Sequence, residues 1–251
     1  MNDSGQMEQS GLRAPLIAKL GRFVDLTERE KAYLTDAQRD FATVRAGADI
    51  VTAGQQYRSI YVLNEGMAIR YKILRDGRRQ VLNLVLPGDF IGFPGALFDP
   101  SLYSIAGLGE TVVCAISFKE IFDLFRRHPR LGAAFFWLVG HESALFAEHL
   151  VGVGRRSAYE RVAHLLLEFL VRLQVAGLAD ECSYAMPMTQ ELMADSLGLS
   201  VPHVNRTLRR LREDGLISIE GTRLVCLDIP ALSQVAEFTS LSLARQRIPG
   251  L

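Results

Sequence analysis

Four arginines fall within seven residues, Arg206, Arg209, Arg210 and Arg212, in the stretch VPHVNRTLRRLRE. A guanidinium matches the O6 and N7 atoms of guanine with two parallel hydrogen bonds, worth about 1 to 3 kcal/mol of discrimination. Beside the arginines stand groups suited to phosphates or a second base: the Ser200 hydroxyl, the His203 imidazole and the Asn205 amide. Val201 can touch a thymine methyl. Arg206 is assigned the guanine contact, and Arg209 and Arg210 contacts beside it. For Arg209, Arg210 and Arg212 a plain solvated helix face is an equal reading, because Glu213 and Asp214 can pair with some of them. The helix start at Gln190 offers free N–H groups to a phosphate.

These groups are useful only if two helices hold them. The stretch TQELMADSLGLSVPHVNRTLRRLREDGLI has two helical halves broken at Gly198, with Thr189 and Ser200 in N-cap positions. Ala194 is the small residue expected where the helices cross. Val204, Leu208 and Leu211 form one apolar face, leaving His203, Arg206 and Arg210 elsewhere. Pro202 is tolerated because it falls in the first turn after Ser200. Downstream, LISIEGTRLVCLD alternates around Gly221-Thr222 and predicts a hairpin wing, with Arg223 at its tip.

Upstream the periodicity divides the chain. Segment 1–40 reads as helical. Segment 41–126 holds short β-rich runs, SIYVLNEG, AIRYKIL, QVLNLVL and TVVCAIS, separated by glycines, and predicts an antiparallel barrel or sandwich. Its best hairpin turn is RDGRRQ, Arg75 to Gln80. Segment 127–156 is a long helix with a hinge at Gly152 and Gly154. Segment 157–251 begins at a capping box, Ser157-x-x-Glu160, and carries the helix-turn-helix. The fold class expected is therefore α+β. In the long helix Leu131, Leu138 and Leu145 recur at sevens, joined by Phe135 and Phe146. That stripe suits a homodimer seam, with packing on the chain's own β domain as the alternative.

Composition narrows the function. The 28 Lys and Arg balance 28 Asp and Glu, so affinity for a polyanion must come from a local patch. No apolar run is long enough to span a bilayer and no secretory signal opens the chain, which places it in the cytoplasm away from membranes. Cys114, Cys182 and Cys226 lie far apart and suggest neither disulfides nor a metal site. No GxGxxG after a strand, HExxH or GxSxG is present, so no enzyme, metal or cofactor is expected.

In this order the segments resemble the Crp/Fnr superfamily of transcription regulators. The resemblance covers roughly Leu16 to Asp228 and rests on YVLNEG, PGDFIG, ISFKEIFDLF, His128-Pro129 and the winged helix-turn-helix. RDGRRQ, VGVGRRSAYERVAHLL and GLSVPHVNRTLRRLREDGLI look like a large alphaproteobacterial branch whose members mostly lack an assigned effector. The resemblance implies a β-roll of cyclic-nucleotide-binding type, jelly-roll-like in form. It also implies a homodimer along the long helix, a palindromic double-stranded DNA operator and RNA polymerase as a partner. Cyclic-AMP binders place a glutamate, and further on an arginine before a serine, in the loop after GDFIG. Phe93 and Tyr103 stand there now, ahead of Ser104, and the adenine-meeting Thr-Ser pair is replaced by Phe146 and Ala147. Cyclic AMP is therefore not expected. Phe93, Tyr103 and Ser104 mark the effector pocket, unless the aromatics simply close an empty roll. The first 40 residues lack the cysteines of cluster-bearing relatives. His141 and His149 read as helix-surface residues rather than haem ligands. Of the family's base-reading set only Arg206 is kept, because Val201 and Pro202 replace an arginine and a glutamate.

Overall fold

The alternation of apolar and polar residues in the first half produces two four-stranded antiparallel sheets. A computed structural model of the chain describes residues 11, 14–92, 100–239 and 248. After helix α1, over residues 14–20, and α2 (Glu28–Ala37) come eight strands: β1 (Asp40–Val44), β2 (Asp49–Val51), β3 (Ser59–Glu65), β4 (Ala68–Ile73), β5 (Arg79–Val85), β6 (Phe90–Ile91), β7 (Ser104–Gly107) and β8 (Thr111–Ser117). They pair in the orders β1-β8-β3-β6 and β2-β7-β4-β5. Ile50, Val51, Leu63, Ala68, Val85, Ile91, Ile105 and Val113 pack together as the core of this roll. The Asp76-Gly77 turn joins β4 to β5 as expected. Gly77 has φ 86°, where a β-carbon would be strained, and its N–H bonds Leu74 O.

Helices follow: α3 (Phe118–Arg127), capped by Ser117 with Glu120 in a reciprocal box, and α4 (Pro129–Arg155). A second core gathers Leu16, Leu20, Leu34, Ile60, Ile116 and Ile121. Into it go Leu131, Phe135 and Leu138, and Leu145 is buried as well. The stripe on which a seam was expected is thus buried within the chain, as in the alternative reading, since burying such side chains is the largest gain available to it. A different stripe stays exposed, Phe136, Gly140, Ser143, Ala147, Leu150 and Gly154, spaced by fours and threes. Phe136 and Leu150 are each 74% exposed.

The C-terminal elements are α5 (Ala158–Val175), β9 (Ser183–Ala185), α6 (Gln190–Leu197), α7 (Val201–Glu213), β10 (Ile217–Glu220), β11 (Arg223–Cys226) and α8 (Ile229–Ala236). The three strands form a sheet in the order β10-β11-β9. Helix α5 is the hub. Its Leu165, Leu166, Phe169 and Leu170 are buried, and Leu166 O accepts a 2.9 Å bond from the Tyr184 hydroxyl. Two compact units result. One holds residues 1–72, 84–140 and 245–251, and the other residues 73–83 and 141–244, so the β4–β5 turn belongs with the C-terminal elements and α4 contributes to both.

Candidate nucleic-acid interface

Helix α6 is capped by Thr189, whose hydroxyl accepts from Leu192 N at 3.3 Å, and ends at Gly198 in the left-handed region, φ 64°. There the backbone reverses: Leu199 N bonds Ala194 O at 3.1 Å and α7 begins two residues later. Ala194, Met193, Leu197, Val204, Leu208 and Leu211 are buried between the helices and α5. Ser200 occupies the N-cap position but its hydroxyl makes no capping bond. The reason is local. Pro202 has no N–H, and the His203 N–H is already given to Ser200 O at 2.9 Å. The hydroxyl is thereby left for an outside partner.

On the outer face Pro202, Asn205, Arg206, Arg209, Arg210 and Arg212 are exposed, with Val201 and His203 half-buried. Gln190 is exposed at the start of α6. No ion pair among the described residues holds Arg206 or Arg209. Arg210 differs: its guanidinium lies 4.6 Å from the centroid of the Tyr159 ring and 3.8 Å from an Asp214 oxygen. The Tyr159 hydroxyl donates to Asp214. Burial and that carboxylate push the phenol up to about 12, so it remains a donor. Thus the four arginines are not equivalent, and sequence spacing alone had no means of showing that Tyr159, on α5, would claim one. At the wing, Arg223 is tied to Asp180 and to the Ser183 hydroxyl.

The β-roll holds two of the three residues expected to mark an effector pocket. Tyr103 is half-buried and Ser104 buried, with the Ser104 hydroxyl accepting from Ala53 N at 3.0 Å; Phe93 lies outside the described residues. The roll nevertheless contains a cation, Arg70 on β4, only 1% exposed, with its guanidinium 4.7 Å from the centroid of the Tyr103 ring. Its position in the middle of an alternating strand gave no sign of a charge turned inward. Burial raises the Cys114 and Cys226 thiols to about 11, which keeps both protonated and unreactive.

A β-roll followed by a long helix and a winged helix-turn-helix with free arginines on its second helix defines a DNA-binding transcription regulator. Residues 160–235 match the Crp-like helix-turn-helix domain and residues 41–128 the cyclic nucleotide-binding domain. The nitrogen fixation regulation protein FixK of Bradyrhizobium diazoefficiens is 35% identical over 187 residues, 74% of this chain and 75% of that protein. The transcriptional activatory protein AadR of Rhodopseudomonas palustris is 35% identical over 171 residues, 66% of this chain and 70% of that protein. The structure of FixK2 from Bradyrhizobium japonicum superposes with a TM-score of 0.69 at 26% identity, covering 78% of this chain and 96% of that one. The chain belongs to the Crp/Fnr family of transcription regulators.

Proposed function

We propose that this regulator reads a palindromic operator as a homodimer, that Arg206 of each protomer meets guanine, and that cyclic AMP is not its signal. The carrying observation is the exposed face of α7, on which Arg206 and Arg209 are held by no ion pair among the described residues while Val204, Leu208 and Leu211 anchor the opposite face. The free Ser200 hydroxyl and the N-terminus of α6 at Gln190 suit phosphates. Val201, His203 and Asn205 border the same groove-facing surface. Arg210, already occupied by Tyr159 and Asp214, is a supporting contact at most.

The dimer reading rests on the exposed α4 stripe. The small residues Gly140, Ser143 and Ala147 between Phe136 and Leu150 allow two copies of the helix to approach closely along a heptad seam. Two-fold symmetry then sets the half-sites about one helical turn apart. The activator names of relatives such as AadR favour an encounter with RNA polymerase in the cytoplasm. No helix among the described residues is long and apolar enough to cross a membrane. Tyr103, where a cyclic-AMP binder holds the phosphate, supports a different effector or none.

Selection from random duplexes by purified protein without added ligand is the test. The expected result is a two-fold symmetric site with a guanine in each half that loses its preference in Arg206→Ala. Failure to enrich any site from a folded dimer would point instead to a required effector in the roll. That alternative is favoured by the buried Arg70, which suits an anionic group.

A further inference from the structure

We propose that His149 is a proton-gated latch: as an imidazolium it ties strand β5 to helices α4 and α5, and on losing a proton it releases the strand. Its ring bridges two acceptors. Nδ1 stands 2.9 Å from Leu82 O on β5, and Nε2 stands 2.7 Å from Glu168 Oε2 on α5. A carbonyl and a carboxylate have no proton to give, and a neutral imidazole has only one, so both bonds exist together only in the doubly protonated ring.

The surroundings support the charged form. Burial opposes it, but Glu168 outweighs burial and the net effect raises the His149 pKa above its ordinary value. Glu168 is itself buried, drawn down to about 2 against the pull of burial by His149 and by Arg172, whose guanidinium bonds its other oxygen at 3.0 Å. The remaining charged neighbours have partners of their own, although His164 also feels His149 and Glu168. On α4, Glu148 takes Arg156 at 2.8 Å; on α5, His164 lies 3.5 Å from Glu148 and is held neutral by burial and Arg156; on α6, Asp195 takes Arg79. A small cavity of about 20 Å³ lined by His149, Arg156, Arg161, His164 and Glu168 gives room for one water beside the ring.

When the ring loses one proton, the one that stays faces the carboxylate, because a charge-assisted bond is the stronger. Nδ1 then turns a lone pair on Leu82 O and β5 is let go. The same strand grips α6: Arg79 Nε donates to Asp195 at 2.8 Å and Gln80 Nε2 to Ser196 O at 3.1 Å. Protonation of one histidine therefore governs how firmly residues 79–83 brace the first helix of the helix-turn-helix. The link to operator affinity rests on the DNA-binding reading above.

The test is an NMR titration of the full-length protein with nitrogen-15 in its histidines, run beside amide exchange corrected for its intrinsic pH dependence. Both ring nitrogens of His149 should still be mostly protonated at pH 6.5, its ordinary midpoint, because its pKa is raised. At higher pH the signal should convert to the Nε2–H form, with exchange at residues 79–83 rising several-fold over the same interval. In His149→Gln that exchange should be fast at every pH, and Glu168→Gln should shift the ring titration down by at least one pH unit. A His149 ring already neutral at pH 6.5, or exchange at 79–83 that ignores the titration, overturns the latch. Loss of operator binding at all pH values would count against the DNA reading and leave these two readouts to decide the latch.

Discussion

On α7 the value of a guanidinium to DNA depends on what else holds it. Arg206 is exposed and unengaged, so Arg206→Ala should lower operator affinity by about 5- to 150-fold, the factor that corresponds to 1–3 kcal/mol, while leaving the melting temperature unchanged. Fluorescence anisotropy on the selected site and thermal unfolding read the two quantities. Arg210→Ala should weaken binding less, because its charge is already met by Asp214 and its face by Tyr159. Tyr159→Phe removes the hydroxyl that fixes Asp214, so Arg210→Ala should lower the melting temperature less in that background than in the parent. Arg206 was legible from the sequence because it sits out of phase with Val204, Leu208 and Leu211 at a period of 3.6. The pairing of Arg210 with Asp214 was open to the same reading at i,i+4, but the part played by Tyr159 was not, since Tyr159 and Asp214 lie 55 residues apart and only packing brings them together.

Helix α5 sets the pH response of the fold. His164, under the Phe238 ring 5.1 Å away, is depressed to about 4 by burial and then by Arg156. The unfolded chain binds that proton more readily, so the stability contributed is present above pH 6.5 and lost as pH falls toward 4. Glu168 adds a loss on the acid side as pH falls from 4.5 toward 2. His149 works in the opposite direction: its contribution is complete below 6.5 and lost as pH rises through its raised value. Urea unfolding across pH 4 to 9 should therefore show a maximum near 6.5, and His164→Phe should flatten the acid limb. At the α6–α7 corner Gly198→Ala forces a β-carbon into the left-handed region and should destabilise by about 1 kcal/mol, a drop of about 2–4 °C in melting temperature for a chain of this size. Caps and turns such as Ser157-x-x-Glu160 and Asp76-Gly77 were readable because their physics lies within a few residues. Helix α4 was not, because it carries two stripes at sevens, Leu131-Leu138-Leu145 and Phe136-Ser143-Leu150. Which of them enters the core depends on strands far away in sequence, and the burial of Leu131, Phe135 and Leu138 follows the alternative that the stripe packs on the chain's own core.

For the molecule as a whole, the change of period after Ser117 revealed a β-roll joined to helices, and the alternation around Gly221 revealed the wing. The inward charge of Arg70 and the assignment of residues 73–83 to the C-terminal unit depend on tertiary packing that no local pattern records. If the exposed stripe of α4 is the seam, Leu150→Asp places a carboxylate in it, and sedimentation should show a monomer with operator affinity reduced by orders of magnitude. The chain carries no net charge, so its ionic-strength response reports only the few cations that reach phosphates. Each phosphate neutralised releases condensed counterions and steepens the fall of log K against log salt by about 0.9. Arg210, whose charge is shared with Asp214 at 3.8 Å, displaces fewer of them than Arg209. Arg210→Ala should thus change that slope less than Arg209→Ala, which should make it shallower by about 0.9 for each phosphate it meets.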